Sequence, residues 1–513
     1  MPSRWVLSLQ CLLLTCVGMI CLRADAPARS QSRAATQLLP DGPCEIEVCD
    51  ERAAIPLAFP DHGRYALIVS SLGDAAMTYR VRLQSIATPT ANPSAIRRVR
   101  PLHVSRIADS VGRISDPSEK KTVTEETHGL KIRPTEIARD FFLHVADLPP
   151  EDARGYARVT GRLIGEGNTV RVFLDSQLAA NQLAPGLMDE IVGLLDHDII
   201  ADSAVQLGTH RDIDGDGKLA VLLTPWLGKL QGGKTSVNGF VRSSDFRSGL
   251  AAPFSNQCDV LYLNSALQPI DGLQTLLAHE YTHAVCFSRR LPTDALPAGL
   301  PEEEDWLNEA IAHVAENLHG TGWSNLDYRI DRFLAGPHRS PLVVRDYYRA
   351  GLWRDHGCRG ATYLFLRWCV DQYGEGLLQS LLANPVTGQR NFEWTTGVLF
   401  SELYRNWTIA LVSGKDSSSP HRLASLDLHG RVGNFDLQGP SYQAWNVAVS
   451  SHEIELRGTT SAFVELRGLS ENGRRNVTVQ APPGTQLQLT LVQLPTANSR
   501  DTLENRVSST ARP

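Results

Sequence analysis

The chain has no basic block, and over its 513 residues the formal net charge is -6, so nucleic acid and anionic membranes are poor partners. Beyond the N-terminus no segment is long and apolar enough to span a bilayer, which argues against stable membrane insertion once a leader is removed. No internal repeat and no glycine-rich phosphate loop is present, which removes repeat architectures and nucleotide cradles. Cysteine is sparse, at 9 residues. The rest of the composition is of ordinary globular type, and the length allows two or three domains.

Met1–Arg4 leads into an apolar run from Trp5 to Leu22, and Ala24-Asp25-Ala26 offers a small-x-small cleavage site. This predicts a secretory signal over 1–26 and a secreted, extracytoplasmic protein, the alternative being an uncleaved N-terminal anchor. Cys11, Cys16 and Cys21 fall in that leader. Cys44, Cys49, Cys258, Cys286, Cys358 and Cys369 remain, an even number that suits disulfides in an exported chain. Cys44 and Cys49 are close enough in sequence to close a small loop.

The sharpest chemical signal is His279-Glu280-Tyr281-Thr282-His283, an H-E-x-x-H pattern inside an apolar run. Residues four apart share a helix face, so both imidazoles can reach one ion, with Glu280 placed beside it as a general base. Asp271-Gly272-Leu273-Gln274 resembles a capping box, and Leu273, Leu276, Leu277, Ala284 and Phe287 make an apolar stripe. Gly at 286 and His at 289 would extend the pattern to a third histidine; Cys286 and Arg289 stand there instead, which excludes the metzincin branch.

Downstream, the acidic run Glu302–Asp305 suits a helix N-terminus and Gly320 its stop. Leu307, Ile311, Val314 and Leu318 form one stripe, and Glu309, His313 and Glu316 the roughly opposite one. A carboxylate on such a second helix, some 20–30 residues on, would complete three zinc ligands and leave a fourth position open.

The segments "HEYTHAV" and "WLNEAIAHVAE" together resemble the hyicolysin-type neutral zinc metallopeptidases, within the thermolysin-like group. "GRLIGEGNTVRVFLD", "DIDGDGKLAVLLTP", "CDVLYLNS" and "ATYLFLRWCVDQYG" agree, so the resemblance covers about residues 140–412. It implies His279, His283 and Glu309 as zinc ligands and Glu280 as the catalytic base. One turn after the third ligand such enzymes often carry a carboxylate that orients a liganding imidazole. Here His313 stands there, with Glu316 or Asp271 as substitutes in the outer shell. The donor for a developing oxyanion stays unassigned among His319, Tyr328, His356 and Tyr363.

Asp212-Ile213-Asp214-Gly215-Asp216-Gly217 matches the first half of a calcium loop, with Asp212, Asp214 and Asp216 as candidate ligands. Position 12 would be Leu223 rather than a bidentate Glu, so a complete EF-hand is excluded. Short alternating runs at 27–95 predict an N-terminal β-rich domain, and 96–139 reads as a charged linker or pro-segment. Residues 140–412 form the metallopeptidase domain, and 413–513 a C-terminal β-sandwich-like domain. The expected fold class is α+β, a thermolysin-like core flanked by β-rich domains. The expected function is a secreted zinc endopeptidase acting on protein or peptide; the alternative is an exported binding or adhesion protein with a degenerate peptidase domain.

Overall fold

Alternation of apolar and polar residues makes strands of both ends of the chain. The computed structural model describes residues 42–57, 64–87, 99–102 and 137–494, less 248, 271, 293–298, 321, 414–420, 450 and 469–474. The leader and most of the charged segment therefore lie outside the described residues. Strands β1 (Cys44–Ile46), β2 (Arg52–Leu57), β3 (Arg64–Ser71), β4 (Thr78–Ala87) and β5 (Val99–Pro101) come first. The middle of the chain supplies β6 (Ala138–His144), β7 (Tyr156–Glu166), β8 (Val170–Asp175), β9 (Leu219–Thr224), β10 (Gly239–Phe240) and β11 (Val260–Asn264). A short hairpin, β12 (Arg431–Val432) and β13 (Phe435–Asp436), precedes β14 (Tyr442–Asn446), β15 (Ser451–Arg457), β16 (Thr460–Arg467), β17 (Arg475–Gln480) and β18 (Leu487–Leu494).

The two β-rich ends, expected as separate domains, are one structure. Their strands interleave in a six-stranded sheet, β14-β16-β3-β18-β1-β5, facing a four-stranded sheet, β15-β4-β17-β2. The cause is visible in β3, which is apolar on both faces. Tyr65, Leu67 and Val69 enter the core between the sheets, while Ala66 and Ile68 pack towards the helices. A strand buried on both sides must have both edges paired, and β16 and β18 supply them: Leu67 stands opposite Val464 on one side and Leu491 on the other. Strand β4 instead alternates buried and exposed positions, and its outer face carries cross-strand pairs such as Arg82–Glu453 at 3.0 Å.

The central sheet runs β10-β11-β9-β8-β7-β6, with β8, β9 and β11 parallel and β10 antiparallel at one edge. Val172, Val221 and Leu261 face the helical layer; Phe173, Leu222 and Tyr262 fill a smaller core on the other side. The helices are α1 (Leu187–Gly193) and α2 (Ile200–Gln206), joined by a π-helical stretch (Leu194–Ile199), then α3 (Leu273–Arg289), α4 (Asp305–Leu318), α5 (Asp327–Leu334), α6 (His356–Tyr373), α7 (Gly376–Ala383), α8 (Gly388–Thr396) and α9 (Phe400–Val412). The fold is thus mixed helix and sheet. Residue 413 is not a domain boundary, because Leu423, Leu426, Leu428, Val432 and Leu437 pack into the helical core.

The disulfide expectation is not met. All six cysteines after the leader are free: Cys44 points into the sandwich core while Cys49 is exposed. Cys258 lies in the small core on the far sheet face, whereas Cys286, Cys358 and Cys369 lie in the helical core. Among the described residues no helix is long and apolar enough to cross a membrane.

The interleaved sandwich is testable by a double-mutant cycle. Leu67→Ala and Val464→Ala are each expected to destabilise the chain, Leu67→Ala by about 2–5 kcal/mol. Denaturant unfolding should show a coupling between them of about 0.5–3 kcal/mol. Additive effects would contradict the pairing.

Candidate metal centre

Helix α3 begins after Gly272, whose φ of 103° is a left-handed turn into the first helical residue. Asp271, offered as a cap and as an outer-shell group, lies outside the described residues. Leu273, Leu277, Ala278, Tyr281, Ala284 and Val285 are buried in the helical core, and this fixes the rotation of the helix. His279 and His283 then share its remaining flank, with side chains 14 % and 10 % exposed. Their rings are nearly perpendicular and their Nε2 atoms are 3.2 Å apart.

Helix α4 packs against α3 and brings Glu309 to the same point. Its Oε2 lies 3.5 Å from His279 Nε2 and its Oε1 4.0 Å from His283 Nε2. Two nitrogens and a carboxylate oxygen thus converge within 4.8 Å of one another. Tetrahedral zinc with ligand bonds of about 2.0–2.2 Å needs donors roughly 3.3–3.6 Å apart, so this set fits the ion with small adjustments. The i, i+4, i+7 stripe is not a solvated surface, because His313 and Glu316 are each only 1 % exposed.

The far nitrogens of both imidazoles are held. His279 Nδ1 donates to Glu316 Oε1 at 2.7 Å, and His283 Nδ1 to Asn308 Oδ1 at 3.2 Å. An ionised carboxylate only accepts, so His279 Nδ1 carries a proton and Nε2 is the atom turned to the shared point; the Asn308 oxygen does the same for His283. Glu316 also receives His313 Nδ1 at 2.9 Å and the Asn325 amide at 2.8 Å. Of the outer-shell candidates, Glu316 therefore contacts the imidazole directly, and His313 acts on Glu316. Asn308, Asn325 and Arg359 escape a sequence reading. Arg359 stands in the first turn of α6, ahead of its apolar run. Its Nη1 is 2.6 Å from Glu309 Oε2.

Charge follows this geometry. Burial would push Glu316 up, but His313 and His279 outweigh it and hold the carboxyl at about 2. Burial likewise opposes ionisation of Glu309, yet Arg359 and His279 keep it well below the carboxylate range. Burial would lower His279, but Glu309 and Glu316 carry it up to about 10. His283 is pushed down to about 4 by burial. Two ionised carboxylates thus flank the converging Nε2 atoms, an environment that favours a cation there, whether a proton on His279 or a metal ion.

Glu280 is 5 % exposed, with Oε2 buried and without a hydrogen-bond partner. Burial pushes its carboxyl up to about 7. Edge strand β10 passes against it: a Cβ on Gly239 would lie 3.1 Å from Glu280 Cγ and 3.3 Å from its Oε1. The four oxyanion candidates, His319, Tyr328, His356 and Tyr363, make contacts of their own. Tyr328 packs on His356 and bonds Asn325, Tyr363 packs on Trp323, and His319 has Asp202 at 3.9 Å.

The Asp212 loop lies elsewhere, before β9. Carboxylate oxygens of Asp212, Asp214 and Asp216 come within 4.8 Å of one another, as a cation would need. Each already has partners: Asp212 accepts the Gly215 and Gly217 amides, Asp214 pairs with Arg139 and Asp216 with Arg171. The negative charge of the loop is thus partly offset by two guanidinium groups from neighbouring strands.

If Glu316 fixes the His279 tautomer, Glu316→Gln should weaken the binding of added zinc about 10–100-fold, read by chelator competition. Unchanged affinity would contradict that role. No protein-family model and no curated protein matches the chain, so its function is argued from the centre itself.

Proposed function

We propose that the chain is a zinc-dependent endopeptidase of the thermolysin-like, hyicolysin-type group, exported and acting on protein or peptide substrates. One observation carries the reading: two imidazoles, each held at Nδ1, turn their Nε2 atoms to one point beside Glu309, with an unpartnered carboxylate, Glu280, between them in sequence. When bound there, zinc supplies a Lewis acid that activates water and polarises a carbonyl.

The chain's own residues do the rest. Glu280 accepts the proton of the attacking water on its carboxylate and passes it to the leaving amine nitrogen, so that the tetrahedral adduct collapses to acid and amine. A pKa near neutrality suits that two-way transfer. The free edge of β10 runs beside Glu280, where an extended peptide can add as a further strand and present its backbone to the base. Gly239 keeps that approach open, because any side chain there would crowd Glu280.

The competing reading, an exported binding or adhesion protein with a degenerate site, draws on the large sandwich. Intact ligands and base weigh against it. Glu280→Gln is expected to retain about one zinc per chain and to lose turnover of a peptide library by about 10²–10⁴-fold or more. Turnover near that of the unsubstituted chain would refute the assignment of the base. Stoichiometric zinc in an unsubstituted chain that cleaves nothing would favour the binding role.

A further inference from the structure

Glu309 is held loosely by its two histidine neighbours. Those separations are 3.5 Å and 4.0 Å, whereas Arg359 Nη1 makes a close ion pair with Glu309 Oε2 at 2.6 Å, without hydrogen-bond geometry. The guanidinium is itself anchored: Arg359 is 12 % exposed and its Cζ lies 4.0 Å from the centre of the Tyr347 ring. Tyr347 is tied back in turn, since its backbone N–H donates to Asp305 Oδ2 at 2.8 Å. Asp305 opens the helix that carries Glu309, one turn earlier. Asp305, Tyr347, Arg359 and Glu309 therefore close a circuit that begins and ends on α4.

The geometry points to Arg359 as a positioning residue for the third metal ligand, clamping the Glu309 carboxylate in its ligating orientation through the stacked Tyr347 ring. This rests on the zinc reading above. The role has a sign that electrostatics alone would not give. A guanidinium so near the ligand oxygen repels a divalent cation, so simple removal of its charge would tighten metal binding. A clamp predicts the opposite, because an unheld carboxylate must be ordered again each time the metal binds. Lysine cannot reproduce the planar fork or the stacking, so it should restore the function only in part.

The test is zinc affinity by chelator competition, with cobalt(II) absorption as a report on coordination, in Arg359→Met and Arg359→Lys. Arg367→Met, on the same helix but paired with Asp371, is the control. Arg359→Met should bind zinc about 10–100-fold more weakly and show an altered cobalt spectrum, with Arg359→Lys between it and the unsubstituted chain. Added guanidinium should recover part of the affinity in Arg359→Ala. Equal or tighter zinc binding in folded Arg359→Met would overturn the clamp, as would an Arg359→Lys chain indistinguishable from the unsubstituted one should Arg359→Met fail to fold. An unsubstituted chain that binds no zinc would instead sink the zinc reading on which the clamp rests.

Discussion

Everything at the centre depends on two imidazole nitrogens held 3.2 Å apart and turned toward one another. Without a positive charge between them, proton or metal ion, that arrangement is repulsive. It persists because each ring is fixed from behind, His279 by Glu316 and His283 by Asn308, and because α3 is packed too tightly on its apolar side to rotate away. Opposed Nε2 atoms beside an ionised Glu309 call for a positive charge between them. The same constraint accounts for the deep burial of Glu316 and His313, which on the proposed reading orient the liganding imidazoles from behind.

The architecture serves that constraint in layers. The central sheet supports α3 on one face and ends in β10, so the base and a free strand edge meet at the same border. Helices α4 and α6 bring Glu309 and Arg359 from the opposite side. The sandwich buttresses the helical layer rather than standing apart, since Ala66, Ile68, Phe463 and Val492 belong to the helical core.

Much of this was legible in the residues, and the limits are physical. Helical periodicity places His279, His283, Glu309 and Glu316 on the correct helices, because spacing along one helix is a local property. Strand alternation likewise marks both ends of the chain as β-rich, as in β4, whose buried and exposed positions alternate. Partner choice is not local: β3 pairs with strands some four hundred residues away, which alternation cannot specify, so one sandwich reads as two domains. The same limit hides Asn308, Asn325 and Arg359, whose roles exist only once helices meet. The counter-charges of Asp214 and Asp216 escape a local reading for a related reason, since Arg139 and Arg171 stand on different strands.

X-ray absorption at the zinc edge of the purified, zinc-loaded chain tests the central claim most directly. The account predicts one zinc per chain with two imidazole nitrogens and carboxylate oxygen at about 2.0–2.2 Å, four-coordinate and without sulfur. A shell containing sulfur, or failure to take up zinc with both histidines intact, would contradict it.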